Sequence, residues 1–134
     1  MYKDEAVIVA FLQKHIPSLQ ACYLFGSQND TTVTPSSDID IAYLSEAKLT
    51  KLQRWELAQE LALELKIDVD LIDLRETNTI FRYQILSTGR RIYGGGYEVE
   101  SFETLAYSFY LRFQEERKPI VDAIKKRKSV FAKS

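Results

Sequence analysis

Leu24-Phe25-Gly26-Ser27, ten polar, turn-forming residues, then Asp38-Ile39-Asp40-Ile41 is the stretch on which the reading of this chain turns. The apolar run Ala21–Phe25 reads as a short buried strand that Gly26 ends. Residues 28–37 (Gln-Asn-Asp-Thr-Thr-Val-Thr-Pro-Ser-Ser) read as a loop, and Asp38–Leu44 as a second strand. Side chains alternate faces along a strand. Asp38 and Asp40 therefore point the same way, about 7 Å apart, while Ile39 and Ile41 point to the core. Two carboxylates held close on a rigid strand raise one another's pKa or demand a cation. Hard divalent ions such as Mg²⁺ accept carboxylate, phosphate and water oxygens together, and two such ions can activate a nucleophile and neutralise a leaving pyrophosphate. Gly26 lets the backbone turn off the strand close to a ligand, and Ser27 offers a hydroxyl and an N–H to a bound anion.

Outward from that stretch, elements alternate. Lys3–Ile16 carries Ile8, Phe11, Leu12 and Ile16 on one helical stripe, which Pro17-Ser18 ends. Thr50–Lys66 is the clearest helix, with Leu57, Leu61 and Leu65 on one face and Glu56, Glu60 and Glu64 on the solvated one. Ile67–Leu74 reads as a third strand, Asn78–Ser87 as a helix and Arg91–Tyr93 as a short strand. A long helix from Glu98 repeats Val99, Phe102, Ala106, Phe109 and Phe113 on one stripe. Pro119 predicts a break near Arg117, followed by a short helix with Ile120, Val121 and Ile124 and a basic tail, Lys125–Lys128. The order helix, strand, strand, helix, strand, helix, strand, helix predicts an α/β (α+β) fold: a small mixed sheet flanked by helices, with a C-terminal helical extension.

The third strand supplies a further acid. Asp70 lies mid-strand between Val69 and Leu71 and is the one expected beside Asp38 and Asp40. Asp68 shares its face at the strand's start, and Asp73, on the opposite face, is the fallback if a bulge shifts the register.

Bulk properties bound the rest. The 134 residues fit one domain, spanning 1–134. With 18 Lys+Arg against 19 Asp+Glu, the chain lacks the basic excess that sequence-blind DNA coating needs, and no direct nucleic-acid binding is expected. The one cysteine, Cys22, cannot form an internal disulfide, and neither a signal peptide nor a membrane span is legible. A cytoplasmic protein without a membrane partner is the expectation. Cys22 reads as buried packing and His15 as structural. Arg90 or Arg91 could reach phosphate or form an ordinary surface pair. The phenylalanines of the last helix read as core, with Tyr107 and Tyr110 as better interface candidates.

Gly26-Ser27, the ten-residue spacer and Ser37-Asp38-Ile39-Asp40 resemble the signature of the DNA polymerase β-type nucleotidyltransferases. Val69–Leu74 and Gly89-Arg90-Arg91-Ile92-Tyr93 resemble the third-carboxylate strand and closing strand of its minimal nucleotidyltransferase (MNT) group. The resemblance covers roughly residues 4–95, with C-terminal helices over about 98–130. It implies the nucleotidyltransferase fold, ATP as substrate and a two-metal Mg²⁺ site. Asp38, Asp40 and Asp70 would be the catalytic and metal-holding acids, with Asp70 helping to deprotonate the acceptor hydroxyl. Gly26 and Ser27 would contact the triphosphate. Short chains of this kind are similar to MntA-type antitoxins of HEPN/MNT toxin–antitoxin pairs, some of which transfer AMP to a tyrosine of the partner HEPN ribonuclease and silence it. A hetero-oligomer with such a toxin is then implied.

One departure is that Gln28-Asn29-Asp30-Thr31 stands where family members often carry basic residues and a glycine. It motivates a second reading, an antitoxin acting by occupation alone. A small-molecule nucleotidyltransferase is a third. About 40 residues follow the last expected strand, too few for an acceptor domain, so the acceptor must be small or must arrive on a partner that positions it.

Overall fold

The computed structural model describes residues 5–26 and 38–132, with side chains to 127. The order is α1 (Glu5–His15), β1 (Leu19–Phe25), β2 (Ile39–Ser45), α2 (Lys51–Leu65), β3 (Val69–Asp73), α3 (Thr79–Thr88), β4 (Arg90–Gly94) and α4 (Tyr97–Ala132). The sheet runs β3-β2-β1-β4, parallel between β2 and β3 and antiparallel elsewhere. The mixed sheet follows from the connections: α2 carries the chain back so that β3 lies parallel to β2.

Helices cover both faces. Ile8, Leu12 and Ile16 from the α1 segment and Ala58 and Leu61 from α2 pack on Cys22, Leu24, Ile39, Ile41, Tyr43 and Leu71. On the other face Ile85 of α3 and Val99 of α4 close over Ala21, Tyr23, Phe25, Ala42 and Leu44. The strict alternation of β2 between these two clusters fixes where its acids point. Asp40 shares the α3/α4 face with Ala42 and Leu44, whereas Ile39, Ile41 and Tyr43 face α1 and α2.

The caps explain the helix limits. Thr50 and Gln53 form a capping box before α2, and Lys66 closes it in the left-handed conformation. The Asn78 side chain accepts from the Phe81 N–H to open α3.

Two expectations are corrected. Pro119 does not end the last helix: α4 runs as one element through it. Pro119 and Glu115, whose carbonyl loses its partner, are both exposed, so water can serve that carbonyl, and helix-favouring residues flank the proline on both sides. The stripe of α4 is also core for only part of its length. Val99 and Ala106 are buried and Phe102 packs against the cluster, but Phe109 and Phe113 are exposed, because α4 outruns the sheet it lies on.

Other residues settle into plain roles. Glu5 pairs with Arg90, and Glu103 accepts from Arg91 Nη1 at 3.0 Å and from the Tyr23 hydroxyl at 2.6 Å, pinning α4 to the sheet. Both arginines thus form ion pairs. Cys22 is fully buried, and burial pushes its thiol up to about 12, so it stays protonated at neutral pH. The His15 ring rests on Phe11, 4.3 Å between centroids.

Candidate active site

The acids meet where the strand ends of β1, β2 and β3 lie together. Asp40 pairs in register with Phe25 across the antiparallel β1–β2 ladder and with Asp70 across the parallel β2–β3 ladder. Register partners point to the same face, so Asp40 and Asp70 project side by side on the α3/α4 face. Asp38 immediately precedes β2 and is exposed. The Ile39 N–H donates to the Asp68 carbonyl at 2.8 Å, which ties this segment to the start of β3.

Gly26 completes the corner. Its φ of +69° is the left-handed region, and a Cβ built there would run into Asp40 Oδ2. A residue with a side chain would both strain the turn and displace the carboxylate. Ser27 and the loop 28–37, with the Gln28–Thr31 departure, lie outside the described residues.

Burial and like charge both act on Asp40. Its pKa is raised above the ordinary 3.8, first by burial and then by the charges of Asp70 and Asp38. Asp73 has a different task. It lies on the opposite face, 4% exposed, where it accepts from the Arg75 N–H at 2.9 Å and from the Tyr43 hydroxyl at 3.4 Å. It closes the turn after β3, and the register gives no bulge that would bring it round to Asp40.

The donor set suits Mg²⁺. Among the described residues no three acids stand close enough to make a ready cage. Mg²⁺, however, is usually held by one or two carboxylates and completes its shell with water and substrate phosphates. A half-buried carboxylate whose charge is resisted by two like charges is a group that a cation would relieve.

The raised pKa gives a test of folding. A carboxylate whose pKa is higher folded than unfolded contributes stability that is fully present below about 3.8 and lost as pH rises through the folded value. Wild type should therefore lose part of its stability over that window, and Asp40→Asn should not. Chemical denaturation at a series of acid pH values, without divalent ions, reads the difference. Parallel profiles would contradict it.

Sequence reasoning missed two features. The first is the cleft of about 430 Å³ beside β3, bounded by Lys51, Arg54, Trp55, Asp70, Asp73 and Glu76. It is formed by α2 lying along an edge strand, and its signal in the sequence is Trp55, an aromatic left exposed on that helix. The second is the aromatic crowd between α3 and α4, where Tyr83 stacks on Tyr110 at 3.7 Å and meets Tyr107 edge-on at 5.4 Å.

Comparison with known proteins gives the family of this fold. The family model described as polymerase beta nucleotidyltransferase matches residues 7–96. The protein adenylyltransferase MntA of Shewanella oneidensis is 41% identical over 121 residues, spanning 90% of this chain and 87% of that protein. A crystal structure of a toxin–antitoxin complex with AMP-PNP superposes with a TM-score of 0.83 at 41% identity, covering 91% of this chain and 98% of the matched one. A tri-AMPylated Shewanella oneidensis HEPN toxin in complex with its MNT antitoxin gives a TM-score of 0.78 at 39% identity, covering 91% and 96%.

Proposed function

The chain belongs to the polymerase β nucleotidyltransferase family, and we propose that it is an antitoxin of the MNT type that transfers AMP from ATP to a tyrosine hydroxyl of a cognate HEPN ribonuclease. The observation that carries the chemistry is the register of Asp40 with Asp70, closed by Gly26 packed against Asp40. The whole chain, residues 1–134, acts as one minimal nucleotidyltransferase unit, and the partner supplies the positioning of the acceptor.

In the reaction the tyrosine oxygen attacks the α-phosphorus of ATP. A new O–P bond forms, the bond from the α-phosphorus to the bridging oxygen breaks, and pyrophosphate leaves with its electron pair. The hydroxyl proton passes to Asp70, which is assigned as the base. Asp38, Asp40 and Asp70 would hold Mg²⁺, which would supply positive charge against the triphosphate. Gly26 keeps the backbone low enough for the triphosphate to approach Asp40, and Ser27 is assigned to phosphate contact.

A HEPN partner and ATP are thus the binding partners. Among the described residues no helix is long and apolar enough to cross a membrane. We place the protein in the cytoplasm, where ATP is present and a lone thiol such as Cys22 stays reduced.

The test mixes the protein, Mg²⁺, α-labelled ATP and the HEPN protein encoded beside it. Covalent label on a tyrosine of the partner, with release of pyrophosphate, is the expected result. Intact binding of the partner with no label transferred would favour neutralisation by occupation instead. Labelling of free small alcohols or amines without any protein partner would revive a small-molecule transferase.

A further inference from the structure

Asp40 stands in a row of three side chains on the α3/α4 face of the sheet. Its register partner is Asp70 on one side and Phe25 on the other. Cross-strand partners hold their Cβ atoms about 4.5–5.5 Å apart, so the phenyl ring flanks the carboxylate on the β1 side. We propose that Phe25 is a positioning residue of the transfer site: its ring, braced by Phe81 of α3, walls off the β1 side of the Asp40 carboxylate and keeps that group aimed where a divalent ion would bind; the inference rests on the functional reading above.

The ring is itself firmly held. The β1–β4 ladder ends at the pair Leu24 and Arg90, so Phe25 lies one residue past it, at the corner where Gly26 turns the chain off the sheet. The end of α3 closes that corner. A Cβ built at Gly89 would come within 2.9 Å of the Leu24 carbonyl oxygen and 3.2 Å of Phe25 Cβ, so the helix end presses directly on the end of β1. The Phe81 ring meets the Phe25 ring edge-on, with 5.9 Å between centroids and 84° between planes, a preferred aromatic arrangement. Phe25 is buried between these neighbours.

A carboxylate needs such a wall because its own last torsion is loose. That torsion is broad and roughly two-fold in aspartate, whereas a metal site works only when its ligands are held to about 0.5 Å. Gly26 bounds the Asp40 carboxylate at the strand end, where a Cβ would meet Oδ2. Asp70 bounds it on the β3 side by like charge. Phe25 closes the third side. A phenyl ring carries no N–H or O–H donor, so it blocks the swing toward β1 without tying up the oxygens in a hydrogen bond. Leucine would fill much of the same volume yet lack the flat, rigid face, and the carboxylate would be free to turn.

The experiment measures Mn²⁺ binding to the full chain by electron paramagnetic resonance, without nucleotide or partner, beside thermal melts. Phe25→Leu should weaken Mn²⁺ by about tenfold. Phe81→Leu leaves β1 untouched and should weaken Mn²⁺ in the same direction by a smaller factor. Phe81→Tyr should restore wild-type affinity, because it keeps the bracing ring. Phe81 also lines a cavity of about 460 Å³ with Gln84 and Phe113, where the added hydroxyl has room. In AMP transfer by Phe25→Leu, the Mg²⁺ concentration for half-maximal rate should rise by about tenfold, while the rate at saturating Mg²⁺ returns to that of wild type. Should Phe25→Leu fail to fold, the two Phe81 variants carry the test. A lower melting temperature with unchanged Mn²⁺ affinity in the leucine variants overturns the proposal, because the rings would then serve packing alone. A loss of rate that saturating Mg²⁺ does not restore also overturns it. Wild type that bound no Mn²⁺ would overturn the functional reading itself, and this inference with it.

Discussion

Asp40→Asn is expected to cut AMP transfer by about a thousandfold while leaving the protein as stable as wild type, or more stable. The two halves of that outcome have one cause. Asp40 sits half-buried between two like charges, and each of these contributes to raising its pKa. That arrangement resists folding, because the native chain must hold ionised carboxylates close together. An amide of the same shape removes the repulsion and keeps the packing against Gly26. It also removes the negative oxygen that a divalent ion requires. A residue present only for packing would behave in the opposite way, with its loss lowering stability and sparing activity. The measurement is labelled AMP transfer beside a thermal melt, with pull-down of the HEPN partner as the control for docking. If the variant transferred AMP at the wild-type rate, the assignment of Asp40 would fall.

How far these features were legible in the residues themselves depends on the range of the forces involved. The element order, the paired strand faces and the approach of Asp70 to Asp40 follow from local periodicity, since parity along a strand fixes which side chains share a face. The choice of Asp70 over Asp73 as the neighbour of Asp40 rests on that parity alone, and the buried hydrogen bonds of Asp73 give it a separate structural use. What periodicity could not supply was where one element ends relative to another. Phe102, Phe109 and Phe113 carry the same helical signal, yet only Phe102 packs on the core cluster, because the sheet is shorter than α4. Pro119 misled for a related reason: its cost depends on whether the freed carbonyl meets water or protein. The cavity lined by Phe113 and Gln84 depends on the meeting of two helices distant in sequence, and no local pattern announces such a meeting.

Gly26→Ala should lower both stability and transfer, and for separable reasons. The φ of +69° costs an alanine about 1–2 kcal/mol, a fall in melting temperature of roughly 3–10 °C for a chain of this size. The new methyl would also collide with Asp40 Oδ2, so the carboxylate must swing away from its place beside Asp70. Displacement of a reacting group by about 1 Å can cost about a hundredfold in rate, and transfer should fall by that order. A double-mutant cycle tells the two effects apart. With Asp40→Ala already in place, the collision partner is gone, and Gly26→Ala should then cost only the backbone strain. The cycle should therefore show a coupling of about 0.5–3 kcal/mol between the two positions. Strictly additive stabilities would mean that Gly26 serves the turn alone, and that the corner formed by Gly26 and Asp40 does not hold the carboxylate in place.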